Sequence, residues 1–520
     1  MNGRSAKDFL LAVSKMMKEI GEHGKYSEDT RQCIIETYAQ MSESEQISSL
    51  KLICGAASET YSIGISMMAE LLRVIKDLKI IECITGILTE LSYPLWERIN
   101  DTLLLRSYLF TYSDFEGYQT YRNMNLIYKT HLDEIWARGR FLYDYIPHKK
   151  RNKKIVIILS QMLGVIHSPT NWTKVIADSY GKLSYDVECF VCHIKGTESC
   201  WDWKNVQYFN NFMDVTGQFQ RMLGDVKING YNFTLNASDY IEQLEKAVKM
   251  IWDRKPEYVL EIGEATILAG LCASFTTVVT MGCTKNMPVT NAPLIALQKD
   301  YSKEELKMWN EQLGDAQKMT EVKMFFRDAK GQDNYKKADF GISEEDFVII
   351  IAGNRLDEEV TKEFLEIVYR ILDLEACFKV AVIGVCPDLE ARVLNGGREA
   401  RFFFLGGQKK FRETIAMGDV FLNPPRIGGG SGGMFSILEE VPVITLDHCD
   451  VESIAGADFV CNSIEEMAPL AHRYYADAEF MNRQKENCRK AALRHTGIDN
   501  KQSLRKLSED VRAYAKEVER

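Results

Sequence analysis

Residues 419–446 constrain this chain more than any other stretch. An apolar strand, 420–422, passes through Pro424, Pro425, Arg426 and Ile427 into Gly428, Gly429 and Gly430, followed by Ser431, Gly432 and Gly433, a short apolar helix and a second strand that begins just after Pro442. Strand, glycine-rich turn, helix and strand in that order make a βαβ unit, which belongs in an α/β sheet with parallel neighbours. Without Cβ atoms in the turn, backbone N–H groups can approach an anion closely, and the helix dipole adds attraction. The pattern predicts Ser431 as N-cap, with Gly432 and Gly433 opening the helix. A flexible linker has the same glycine content, but this run is held on both sides by strands, 420–422 and 443–446.

At 520 residues the chain exceeds one core, and about three domains are expected. The first 150 residues carry apolar side chains at helical spacing. Phe9, Leu10, Val13, Met16, Met17 and Ile20 form one such set, and Met67, Met68, Leu71, Leu72 and Ile75 another. No tetratricopeptide or other repeat consensus accompanies them. The aromatic stretch 108–145 is expected to pack this domain against its neighbour; an acceptor-binding surface is the alternative.

The texture changes near residue 153. Residues 155–159 are a fully apolar strand of the kind buried in a parallel sheet. A helix over 172–180, a strand over 186–192, a helix over 240–252 and strands over 258–262 and 277–280 follow. Residues 300–340 read as a polar linker containing a helix. A second alternating unit then runs through strand 347–351, helix 358–372, and strands 379–383 and 401–405 to the opening motif. Residues 463–520 are helical and charged. The expected fold class is α/β, with two Rossmann-like domains, 151–335 and 336–520, preceded by an all-α N-terminal domain over 1–150.

A net charge of −10 argues against broad nucleic-acid binding. The 13 cysteines are scattered without zinc-finger spacing and read as reduced, packed thiols. No stretch reaches the roughly 18 apolar residues of a membrane span, and residues 1–19 lack the apolar core of a leader. A cytoplasmic location is the expectation.

Ligands of open α/β sheets bind beyond the carboxyl ends of the strands, so loops after strands supply the candidates. The glycine loop, through Gly430, Ser431, Gly432 and Gly433, is assigned to a diphosphate. Arg355 follows strand 347–351 and can fork two phosphate oxygens, or pair with Asp357, Glu358 or Glu359. Lys409 and Lys410 follow strand 401–405; one of them could neutralise a leaving diphosphate in place of a metal ion, or both could be solvated. In the other domain His167, in the loop after 155–159, is a candidate general base, or a histidine bonded to backbone in a tight loop. Glu264, after 258–262, is the second candidate base. No Asp-x-Asp metal signature occurs, and no metal or other cofactor is expected.

Together, residues 161–170, 340–355 and 418–446 resemble the two-Rossmann (GT-B) glycosyltransferases, over about residues 150–520. The pattern is similar to that of the inverting family containing O-GlcNAc transferase and the bacterial cytoplasmic protein N-glucosyltransferases. The resemblance implies a UDP-sugar donor, UDP-glucose or UDP-N-acetylglucosamine, with its pyrophosphate at Ser431 to Gly433 and a cation from Lys409 or Lys410. A protein or glycan acceptor would bind the first domain. Two features depart from related patterns. The paired glutamates of the large retaining family are missing, since no Glu occurs between Glu413 and Glu439, and the tetratricopeptide repeats of O-GlcNAc transferase are replaced by another helical domain. A sugar-nucleotide epimerase and a non-catalytic transferase-like subunit serving an active partner are the alternatives; a partner subunit or homo-oligomer is compatible with each.

Overall fold

The computed structural model describes residues 3–57, 60–111, 117–163, 167–194, 216–298, 301–326, 335–394, 396–447 and 449–519. Residues 112–116 of the aromatic stretch, 164–166 of the loop before His167, and 300 and 327–334 of the linker lie outside the described residues.

Among the described residues, seven α-helices form the N-terminal region: Gly3–His23, Glu28–Ala39, Glu43–Ala57, Tyr61–Ile75, Leu78–Thr89, Leu95–Thr111 and Tyr118–Arg138. Their apolar stripes meet inside, where Phe9, Met16, Met68, Leu72 and Ile80 are buried. Side-chain oxygens of Ser27 and Asp77 accept from Thr30 N and Lys79 N and so start the second and fifth helices.

The first sheet contains β1 (Lys154–Leu159), β2 (Asp186–Ile194), β3 (Gly217–Leu223), β4 (Val226–Leu235), β5 (Tyr258–Ile262), β6 (Val278–Met281), β7 (Leu294–Leu297) and β8 (Lys318–Glu321). Their order is β3-β4-β2-β1-β5-β6-β7-β8, parallel except for β3. Four of these strands, β3, β4, β7 and β8, were not expected from the sequence. β4 is broken up by Asn229, Gly230 and Asn232, residues that signal turns. Gly230 is there because the strands meet closely: an added Cβ would lie 2.1 Å from the Cys189 carbonyl oxygen of β2. β8 arises from what reads as linker, and pairs in parallel with β7.

Strand side chains alternate between two faces. Ile155, Ile157 and Leu159 of β1 pack with Trp172, Tyr180 and Tyr258 on one face. Val156 and Ile158 point the other way, into a core continuous with Leu105, Ile127 and Ile135 of the helical region. The helical region and the first sheet therefore share one core. Cys189 and Cys192 of β2 have Cys-x-x-Cys spacing, but pack in opposite face clusters, so the strand keeps the two thiols apart.

The second sheet has β9 (Phe347–Ala352), β10 (Phe378–Ile383), β11 (Phe402–Gly406), β12 (Val420–Leu422) and β13 (Val443–Ile444) in the order β11-β10-β9-β12-β13, all parallel. The helix expected over 358–372 is two helices, Leu356–Glu359 and Lys362–Leu374, because Thr361 starts the second by accepting from Phe364 N. At the C-terminus the helix Asn500–Val518 leaves the second domain, where the sequence grouped it. Its Leu504, Leu507 and Val511 fill the outer face of the first sheet.

Candidate functional site

Strand order reverses between β1 and β5 in the first sheet and between β9 and β12 in the second. Crevices open at such points, beyond the carboxyl ends of the strands. Here both face a single cavity of about 1290 Å³. Its third wall comes from the helix Leu95–Thr111, through Leu103, Arg106, Ser107 and Phe110.

The glycine-rich helix spans Gly430–Leu438, and its N-cap is Gly429, not Ser431. Gly429 has φ +93°, a left-handed conformation that glycine adopts without penalty. The helix thus starts earlier than expected, and Ser431 lies in its first turn. Gly430, Ser431 and Gly432 line the cavity and Gly433 is not among its lining residues. A Cβ at Gly432 would come within 2.8 Å of the Phe421 ring, and one at Gly433 within 2.9 Å of Val451. Those two glycines let the helix press onto β12 and onto the helix Asp450–Ala455.

Arg355, at the end of the β9 loop, also lines the cavity. Its Nη2 donates to Glu359 Oε1 at 2.8 Å, and its Cζ lies 4.4 Å from the centre of the Phe110 ring. An ideal Cβ on Gly428 would stand 3.3 Å from Arg355 Nη2. The acid pairing foreseen as an alternative is formed with Glu359, and the guanidinium nevertheless borders the glycine loop. Arg426 completes the arrangement: buried, it donates to Glu359 Oε2 at 2.6 Å, to Asn423 Oδ1 at 2.8 Å and to the Ala352 carbonyl at 2.8 Å. Burial pushes the Glu359 carboxyl up, but the charges of Arg426 and Arg355 outweigh it and hold the pKa below the usual value.

The two lysines separate. Lys409 lines the cavity. Lys410 is not among the lining residues; its Nζ lies 5.7 Å from the Tyr335 ring centre, and its backbone carbonyl accepts from Thr414 N at the start of the helix Phe411–Ile415.

Across the cavity, His167 precedes the helix Ser168–Lys182. Its Nδ1 is 2.9 Å from Thr170 Oγ1. Burial lowers its pKa to about 4, so the ring is neutral near pH 7. Ser168 Oγ reaches Ser431 Oγ at 3.2 Å, joining the two Rossmann domains. Glu264 has both carboxylate oxygens engaged, Oε1 by Arg106 Nη2 at 3.1 Å and Oε2 by Val289 N at 2.8 Å. It anchors the helical region as well as lining the cavity. Asp450 also lines the cavity; its Oδ1 accepts from Lys285 N at 3.0 Å, and Lys285 Nζ lies 2.9 Å from Glu452 and 3.1 Å from Glu305. Among the described residues no three His, Cys, Asp or Glu side chains gather as a metal ligand set, and no helix is long and apolar enough to cross a membrane.

Four residues of this arrangement were not among the candidates: Arg106, Phe110, Ser168 and Arg426. Arg426 had a signal, since it directly precedes the glycine run in the loop after a strand. Leu103, Arg106, Ser107 and Phe110 do share one helical face at i, i+3, i+4 and i+7. Nothing in the local sequence shows that this face meets a cleft in which its own contacts, Arg106 to Glu264 and Phe110 to Arg355, span 158 and 245 positions.

These two parallel sheets, opposed through their switch points with helices ahead of them, define the GT-B architecture. No family model and no curated protein sequence matches the chain. Among solved structures, an O-GlcNAc transferase mutant from Thermobaculum terrenum is similar at 14% identity and a TM-score of 0.53, covering 100% of both chains. A sucrose-phosphate synthase from Thermosynechococcus elongatus is similar at 10% identity and a TM-score of 0.50, covering 69% of this chain and 99% of its own. At such identities the likeness is one of fold.

Proposed function

We propose that this chain is a glycosyltransferase that moves a hexose or N-acetylhexosamine from a UDP-sugar to a protein or glycan acceptor, with inversion and without a metal ion. The observation that carries this reading is the glycine-capped helix Gly430–Leu438 opening from β12 into the cavity opposite His167. Helix amides and dipole there suit a diphosphate, and Lys409 and Arg355 supply the positive charge that a departing nucleotide needs. The two similar structures are, by name, an O-GlcNAc transferase and a sucrose-phosphate synthase.

In the tautomer where His167 Nδ1–H donates to Thr170 Oγ1, the Nε2 lone pair is left to accept a proton from an incoming hydroxyl or amide. Attack by that group on the anomeric carbon breaks the bond to the diphosphate, and the cations stabilise the charge that develops on the leaving oxygen. Glu264 is the weaker candidate for base, because both of its oxygens already accept hydrogen bonds. A sugar-nucleotide epimerase would need convergent carboxylates in the cleft, whereas Glu264, Glu359 and Asp450 are each held by basic or backbone partners.

One observation favours a second reading, a non-catalytic subunit with a transferase fold: the hydroxyls of Ser168 and Ser431 bridge the cleft beside the glycine helix. The test is thermal shift with a panel of nucleotide sugars, followed by release of free UDP with and without protein and glycan acceptors. Stabilisation with acceptor-dependent UDP release supports the transferase. Stabilisation without turnover on any acceptor supports the subunit, and no stabilisation by any UDP-sugar overturns both.

A further inference from the structure

The helix Leu95–Thr111 belongs to the helical region, yet successive turns of it touch both halves of the cleft. Arg106 Nη2 donates to the Glu264 carboxylate at 3.1 Å and to the Glu264 carbonyl at 3.2 Å, at the switch point of the first sheet. One turn later the Phe110 ring lies against Arg355, at the switch point of the second, with 4.4 Å from guanidinium carbon to ring centre. Residues four apart lie on one helical face, so fixing Arg106 also fixes where Phe110 points.

We propose that Phe110 is a positioning residue of the donor site: its ring holds the Arg355 guanidinium in place beside the glycine loop, from a helix that Arg106 anchors on Glu264. This rests on the reading of the cavity as a nucleotide-sugar site. Glu359 grips Arg355 through Nη2 alone, and a guanidinium held by one edge can still turn about that bond. A ring stacked on its face removes the freedom and excludes water from that side. Gly428 leaves room for the arrangement, since a Cβ there would stand 3.6 Å from the Phe110 ring and 3.3 Å from Arg355 Nη2. Nη2 is engaged by Glu359 and Nε is buried without a partner among the described residues, so a phosphate oxygen would take Nη1 or Nε. The helical region is on this account a working wall of the donor site.

The test is UDP titration of the full chain by calorimetry, comparing wild type with Phe110→Leu, Phe110→Trp, Arg355→Ala and the double variant Phe110→Leu/Arg355→Ala. Leucine keeps apolar bulk and loses the ring's charge distribution, while tryptophan keeps the ring. Phe110→Leu is expected to weaken UDP binding about fivefold, and Phe110→Trp to hold it near wild type. In the Arg355→Ala background, Phe110→Leu adds no further loss, which a general packing defect would. Melting temperatures of all variants accompany the titrations. Unchanged UDP affinity in Phe110→Leu, or losses that add in the double variant, overturns this inference alone. Wild-type protein that binds no UDP overturns the donor reading, and the role of Phe110 with it.

Discussion

The Oγ atoms of Ser168 and Ser431 lie 3.2 Å apart, and through them the first turn of a helix in one Rossmann domain touches the first turn of the glycine-capped helix in the other. The cleft is therefore narrow where the diphosphate is proposed to bind, and the pair must part or turn to admit it.

Joining these side chains tests that requirement. The double variant Ser168→Cys/Ser431→Cys places two thiols where the hydroxyls now meet, and a disulfide needs such proximity. The oxidised protein is expected to lose UDP binding in a calorimetric titration and to regain it on reduction. Equal affinity in both states would show that the diphosphate enters without moving this contact.

Lys409 and Lys410 are equivalent in the sequence and differ in space. Lys409→Ala is expected to weaken UDP binding by about tenfold, the scale of one charge-assisted hydrogen bond. Lys410→Ala should stay within about twofold, because its ammonium lies over the Tyr335 ring. Competition against labelled UDP separates the two; equal losses would mean that Lys410 swings into the cleft.

Burial lowers the pKa of His167 and of His131 from 6.5 to about 4. In the unfolded chain each ring binds a proton near pH 6.5, while the folded ring stays neutral until about pH 4. Protons therefore favour unfolding across this window: the stability is fully present above pH 6.5 and is lost as the pH falls towards 4. Melting temperature should drop over that range, and His131→Gln should flatten the drop. If His167 is the base, the acid limb of turnover lies nearer pH 4 than 6.5 in a pH–rate profile.

Arg426 and Glu359 form a pair with side chains 2% and 1% exposed. Removing Arg426 leaves the buried Glu359 carboxylate with Arg355 as its one remaining basic partner, so Arg426→Leu should lower the unfolding free energy by about 3 kcal/mol, the low end for a broken buried pair. Glu359→Leu added to Arg426→Leu should restore part of it. Urea unfolding of the two variants checks the sign; a double variant less stable than the single would contradict the pairing.

Elements with a local cause can be read from residue order alone. Apolar runs such as Ile155 to Leu159 and Phe347 to Ile351 appear as buried parallel strands, and helical periodicity marks the N-terminal region, because solvent-excluded backbone accepts few alternatives. The glycine run between β12 and β13 marked the switch-point helix that borders the cavity. What local composition could not show was pairing. β4 carries Asn229 and Gly230, residues of turns, and becomes a strand because β2 accepts it; the helix Asn500–Val518 follows the second domain in sequence and covers the first sheet. The site divides in the same way. Loops after strands could be picked out from sequence, whereas the contacts Arg106 to Glu264, Phe110 to Arg355 and Ser168 to Ser431 join residues 158, 245 and 263 positions apart. Their geometry depends on how the helical region and the two sheets pack against one another, which no local stretch of residues encodes.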